Sequence, residues 1–183
     1  MAKVFETIDD SIREWINNQK MFFVASAPLS GDGMVNCSPK GLDTFRILGP
    51  RKIAYLDYTG SGAETIAHLR ENGRIVIMMC AFEGRPRIMR FHGVGKAHET
   101  GSKEFESLSR HFDNLTGARA MIVIEIHRIG DSCGYAVPRY QYVDNRDGLN
   151  KWAEQKGEEG ITRYQREKNR VSLDGLPAMH FPD

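Results

Sequence analysis

Cysteine is scarce in this chain and does not pair up. Cys37, Cys80 and Cys133 are odd in number, far apart and free of any C-x-x-C, which argues against a disulfide scaffold or a zinc knuckle and fits a reducing compartment. An excess of one charge is also missing. With 25 lysines and arginines against 24 aspartates and glutamates in 183 residues, no overall field draws the protein to nucleic acid or to acidic membranes, so any anion site must be local. No apolar run approaches the roughly 20 residues that span a bilayer, and the opening M-A-K-V-F-E-T-I-D-D lacks a basic-then-apolar signal pattern. The expectation is a cytoplasmic protein with neither nucleic acid nor a membrane as partner. The usual catalytic signatures are absent as well. There is no H-E-x-x-H, Ser61 is not in G-x-S-x-G, and Cys37 has no evident histidine partner. His92 and His98 share a strand parity but would lie about 20 Å apart on a straight strand, so neither a metal centre nor a covalent nucleophile is expected.

What is present centres on Lys52 to Gly73, K-I-A-Y-L-D-Y-T-G-S-G-A-E-T-I-A-H-L-R-E-N-G. It reads as a strand, a glycine-rich turn and a helix. Gly60 and Gly62 permit a tight turn, and the helix after them would point free N–H groups at an anion. The same residues admit a plainer reading, because Ser61 followed by Glu64 is a capping box. The G-x-G lacks a third glycine and an acidic partner, so a dinucleotide fold is the weaker choice, although a βαβ unit stays open.

Around this stretch the chain reads in order. Thr7 caps a first helix with Ile8, Ile12, Trp15 and Ile16 on one face. Met21–Ala27 and Met34–Lys40 form a hairpin whose return strand puts Asn36, Ser38 and Lys40 on one face, with Pro39 marking an edge. Gly41 to Arg51 is a loop. Arg74–Ala81 is apolar on both faces and therefore a central strand. Arg87–Glu99 is a long strand bent at Gly93 and Gly95. Gly101–Phe112 is a second amphipathic helix, and Met121–Arg128 is a strand with Ile122, Ile124 and Ile126 facing the interior. Beyond Pro138, Lys151–Gly175 is charged and helix-prone, and Pro177 and Pro182 end it irregularly. The fold class is mainly β with peripheral helices, a small antiparallel barrel of Greek-key kind. Residues 1–138 form the barrel with its N-terminal helix. Residues 139–183 form a helical extension packed on the barrel or on a partner subunit.

Three segments share the chemistry of an anionic, planar ligand. Asn36, Ser38 and Lys40 offer hydrogen bonds and a cation, Tyr58 to Ser61 offer hydroxyls and backbone amides, and Arg87 and Arg90 add guanidinium groups. In a regular strand the two arginines point to opposite faces, so one of them reaches the ligand unless a bulge intervenes, and surface ion pairing is the competing role for each.

These segments resemble the pyridoxamine 5'-phosphate oxidase-like flavoproteins, the split β-barrel family that binds FMN. The resemblance runs from about Met21 to Pro138 and rests on V-N-C-S-P-K-G-L-D, on A-Y-L-D-Y-T-G-S-G-A-E-T-I-A-H-L-R-E-N-G, on C-A-F-E-G-R-P-R-I-M-R-F-H-G and on S-C-G-Y-A-V-P. It implies an FMN-dependent oxidoreductase acting on a small-molecule substrate or electron donor, and a homodimer with the cofactor at the subunit interface. It carries Ser38, Lys40, Tyr58, Thr59, Gly60 and Ser61 over as cofactor-binding residues, to which the face of the return strand adds Asn36 and a donating hydroxyl adds Thr65. It also matches Arg87 and Arg90 to an R-x-x-R-x-x-G strand in which Arg90 is the preferred contact. Cys133 and Tyr135 could approach the ring from the partner subunit. Two departures stand out: Glu64-Thr65 replaces the oxidases' Arg–Lys pair at the helix start, and their C-terminal arginine segment has no match, so vitamin B6 oxidation is not expected. The alternatives are a non-catalytic carrier of flavin, deazaflavin or haem, with His92 or His127 as axial ligand, and a barrel whose cofactor site has decayed into an interaction module.

Overall fold

The computed structural model describes residues 3–181, and one antiparallel sheet organises them. Its strands are β1 (Val4–Phe5), β2 (Phe22–Ser26), β3 (Asn36–Lys40), β4 (Phe45–Gly49), β5 (Lys52–Tyr58), β6 (Arg74–Cys80), β7 (Ile88–Glu99) and β8 (Ala118–Ser132). Four helices accompany them: α1 (Asp10–Asn17), α2 (Glu64–Glu71), α3 (Lys103–Ser109) and α4 (Gly148–Lys168). The strands run β3-β2-β6-β7-β8-β5-β4, with β1 added to β8. The path is open between β3 and β4, so this is the expected mainly-β split barrel with peripheral helices, and not a closed cylinder. Among the described residues no helix is long and apolar enough to cross a membrane.

Period-two alternation makes the middle strands two-faced. On β5, Ile53 and Tyr55 join the larger core while Ala54 and Leu56 join the smaller, and β8 divides in the same way between Ile122 and Ile124 on one side and Met121 and Val123 on the other. Ile8, Ile12 and Ile16 at α1 and Ile66, Ala67 and Leu69 of α2 cover the first core. Phe105 of α3 and Phe112 just beyond it cover the second. The expected hairpin is present, with Ser26 opposite Asn36 and Phe22 opposite Lys40, and β3 is an edge strand, which is where Pro39 is tolerated.

Several local expectations give way. Helix α1 is capped by Asp9, whose Oδ1 accepts from the Ile12 amide at 2.8 Å, and Thr7 lies outside it. The segment read as a loop contains β4, paired with β5 through a register shift between Ile47 and Gly49. Its five residues are all half-buried, so no alternation marks them. Helix α3 stops at Ser109, short of Phe112, and β8 runs past both ends of Met121–Arg128. The βαβ alternative fails because β5 and β6 are not neighbours and every ladder is antiparallel. Pro182 lies outside the described residues.

Two glycines set chain direction near the site. Gly73 ends α2 at φ +72°, and a Cβ there would meet Val94 Cγ1 at 2.8 Å. Gly73→Ala should therefore destabilise the fold by about 1–2 kcal/mol, seen as a lower urea midpoint at unchanged m-value. Gly157 interrupts α4 at φ 66°, ψ 174°, a region essentially confined to glycine. Trp152 and Tyr164 would stand about 18 Å apart along a straight helix, yet their rings meet edge-on at 5.2 Å. Helix α4 is thus a folded-back helical hairpin.

Candidate functional site

The pleat of β3 turns Cys37 and Pro39 outward and Asn36, Ser38 and Lys40 into a cavity of about 540 Å³. Tyr58, Gly60, Ser61, Gly62, Glu64 and Thr65, from the end of β5 to the start of α2, form its second wall. A relay joins the two walls: Ser38 Oγ donates to Asn36 Oδ1 at 3.1 Å, and Asn36 Nδ2 donates to Thr65 Oγ1 at 3.0 Å. The third wall comes from the C-terminal segment, as Lys168, Val171, Ser172 and Leu173. It is fastened where Gln165 Nε2 donates to Thr59 Oγ1 at 2.7 Å and Asn169 Nδ2 donates to the Gly60 carbonyl at 2.9 Å.

Beneath the cavity lies a buried ion cluster. Asp57 on β5, 1% exposed, accepts from Lys40 Nζ at 2.6 Å and from Arg119 Nε at 2.8 Å. Arg119 Nη1 donates in turn to the Gly62 carbonyl at 2.7 Å. Burial alone would raise the Asp57 carboxyl, but Lys40 and Arg119 outweigh it and hold the group below the usual carboxylate range. One anion thus faces two cations, and Lys40 and Arg119 both also line the cavity. The floor therefore carries net positive charge.

Most of the residues expected to bind the ligand come together here, but not all. Asn36, Ser38, Lys40, Tyr58, Gly60, Ser61 and Thr65 line the cavity. Thr59 is buried with its hydroxyl turned to Gln165. Arg87 is paired with Asp131 and packed over the Phe5 and Trp15 rings, and Arg90 donates to Ser132 Oγ, so neither lines the cavity. The capping box does not form, since α2 begins after Ala63 without a side-chain cap. His92, His127, Cys133 and Tyr135 are exposed and outside the cavity. Asp57, Arg119 and the third wall escaped the sequence reading. A lone aspartate in Y-L-D-Y and a lone arginine in A-R-A-M-I-V-I were the available signal, because a charge buried in an apolar strand needs a partner.

Behind α2, His68 is fully buried, with Nδ1 sharing a 2.9 Å hydrogen bond with Ser26 Oγ and Nε2 without a partner. Burial lowers its pKa despite Asp174, Glu64 and Glu71. A depressed folded pKa means that stability is complete above the unfolded value of about 6.5 and is lost as pH falls below it. Urea midpoints should therefore fall in the wild type as the pH drops below about 6.5, and this fall should flatten in His68→Gln.

A family model described as pyridoxamine 5'-phosphate oxidase matches residues 8–133. The pyridoxamine 5'-phosphate oxidase family protein ustO of Aspergillus flavus is 42% identical over 197 residues, covering 98% of this chain and 79% of that one. HupZ of Group A Streptococcus shares the fold at TM-score 0.54 and 23% identity, over 68% of this chain and 99% of that one. An FMN-binding protein of Syntrophomonas wolfei is matched more loosely, at TM-score 0.47 and 18% identity, over 62% of this chain and 77% of that one. The family match stops before the third wall of the cavity, whereas the match to ustO extends across it.

Proposed function

Because the chain belongs to the pyridoxamine 5'-phosphate oxidase family, we propose that it is an FMN-dependent oxidoreductase with its flavin in the cavity between β3 and the β5–α2 turn. One observation carries this reading. The donor-rich face of β3, the glycine turn and a buried cationic floor surround a single space of about 540 Å³, a usual size for a small-ligand site. The donor set fits the group: Asn36, Ser38, Lys40 and Tyr58 would hold the ring, and Gly60, Ser61 and Thr65 its phosphorylated tail. Bound FMN would supply hydride or electron transfer to a small-molecule substrate or from an electron donor. The chain's own residues bind and orient it, and Lys40 places a positive charge beside it without needing to move a proton.

A homodimer with the cofactor at the interface belongs to the same reading. The cavity mouth supports it, for Val171 and Leu173 line it and the hairpin tip leans on their turn through the Met34 amide on Asp174 Oδ2. Val35 and Leu173 there are 73% and 75% exposed, an apolar surface suited to burial against a second copy. Within one chain Arg90 does not reach the cavity, so it keeps a cofactor role only through that copy. A cytoplasmic home fits the three unpaired cysteines. A haem carrier is less well supported, since no histidine lines the cavity.

Absorption spectroscopy of the purified protein before and after adding FMN tests the proposal. Stoichiometric bands near about 375 and 450 nm are expected. A Soret band near about 400 nm would point to the haem carrier, and a colourless protein that ignores added FMN would overturn the reading and leave a decayed site.

A further inference from the structure

The turn that leaves β5 is held from behind, by residues that do not line the cavity. The Thr59 N–H donates to the Gly117 carbonyl at 2.8 Å, Thr59 Oγ1 accepts from Gln165 Nε2 at 2.7 Å, and the Gly60 carbonyl accepts from Asn169 Nδ2 at 2.9 Å. Gln165 and Asn169 are 8% and 0% exposed and stay out of the cavity, whereas Gly60 and Ser61 line it. Both holders belong to the C-terminal segment, beyond the stretch that the family model matches.

Asn169 is itself braced. It ends α4 with its N–H donating to the Gln165 carbonyl at 2.8 Å, and its own carbonyl accepts at 2.9 Å from the N–H of Met179, a residue of the larger core. Its side-chain Oδ1 is buried without a partner. An orphaned buried acceptor is destabilising, and an apolar side chain would fill the space without one, so what accounts for the amide is the carbonyl that its Nδ2 holds. Among the described residues no peptide bond is cis, and in a planar trans peptide the C=O and the next N–H point in opposite directions. Holding the Gly60 carbonyl towards Asn169 therefore turns the Ser61 N–H the other way, and that N–H makes no hydrogen bond among the described residues.

We infer that Asn169, seconded by Gln165, is a positioning residue for ligand binding: it fixes the Gly60–Ser61 peptide so that the Ser61 N–H faces the cavity and donates to an acceptor atom of the ligand. The turn does not fix itself. Gly60 has open space where a side chain would stand, and a glycine adopts either peptide orientation at little cost. Without Asn169 its carbonyl is free to turn to water in the cavity, which replaces a donor by an acceptor at the point of contact. A ligand that accepts from Ser61 in turn favours the held orientation, so binding and the seating of the C-terminal segment reinforce each other. With FMN as the ligand, the role rests on the flavin reading above.

Two measurements on the full chain decide the matter: amide relaxation by NMR in the ligand-free protein, and FMN titration followed by flavin fluorescence. In the wild type the Ser61 amide should be ordered, with an order parameter of about 0.85, and in Asn169→Leu it should fall below about 0.6 while FMN binds about tenfold more weakly. Gly73→Ala, which strains the far end of α2 and lowers stability without touching the turn, should keep both values. The inference is overturned if Ser61 stays ordered in a folded Asn169→Leu protein, or if Gly73→Ala loses as much FMN affinity, since binding would then follow stability alone. Should Asn169→Leu fail to fold, Gln165→Leu is judged by the same two readings, with a loss of about threefold for the neutral bond removed. Wild-type protein that ignores FMN, while Ser61 still loosens in Asn169→Leu, would sink the flavin reading and leave the positioning role standing.

Discussion

Replacing Asp57 by asparagine should cost the fold about 3–5 kcal/mol, the usual penalty for breaking a buried ion cluster by removing one partner. The loss arises less from the hydrogen bonds themselves than from what remains. Lys40 and Arg119 would face each other across a neutral amide, with Arg119 only 5% exposed. The effect should appear as a large fall in urea midpoint at unchanged m-value, and Asp57→Asn combined with Arg119→Met should recover part of it. A pH series supplies a second check. Because the folded pKa of Asp57 is depressed, its contribution is complete above the unfolded value of about 3.9 and is lost as pH falls below it. The variant should lack that part of the acid transition.

The second large effect concerns the ligand. Lys40→Met keeps the aliphatic stem but removes the only cation on the β3 face of the cavity, and Asp57 still has Arg119 to pair with. FMN affinity should fall by about one to two orders of magnitude, the equivalent of a charged hydrogen bond worth about 1.5–3 kcal/mol. Equilibrium dialysis of the purified variant measures it directly. Unchanged flavin content in a folded Lys40→Met protein would reject the assignment of this cavity to the cofactor.

Where the sequence was legible, one periodicity or one turn residue decided the structure. Asn36, Ser38 and Lys40 share a face because alternate residues must, and the hairpin holding them closes through S-G-D-G. The glycine turn before α2 and the Asn72-Gly73 stop after it were equally plain. Strand β4 was not, because half-burial on both faces erases the alternation that would announce it. Arg87 and Arg90 read as ligand contacts because they are cationic and close in sequence. Their partners, Asp131 and Ser132, lie on β8 and are brought opposite only by the β7–β8 register. Arg119 presents the converse case: a residue with no motif around it becomes part of the cavity through the pairing of β8 with β5. Long-range register is what a local reading lacks.

The break at Gly157 gives the last forty or so residues a mechanical meaning. One α-carbon in a conformation that side chains avoid sends the helix back on itself, and that reversal delivers Lys168 and Leu173 to a cavity whose other walls lie within the first 119 residues. A straightened α4 would be a rod that carried its far end away from the sheet, and the cavity would become an open trough. The enclosure of the cavity is therefore set by a joint that touches none of its walls, and a protein of this kind could change which molecules it admits by changing the joint while its floor stayed the same.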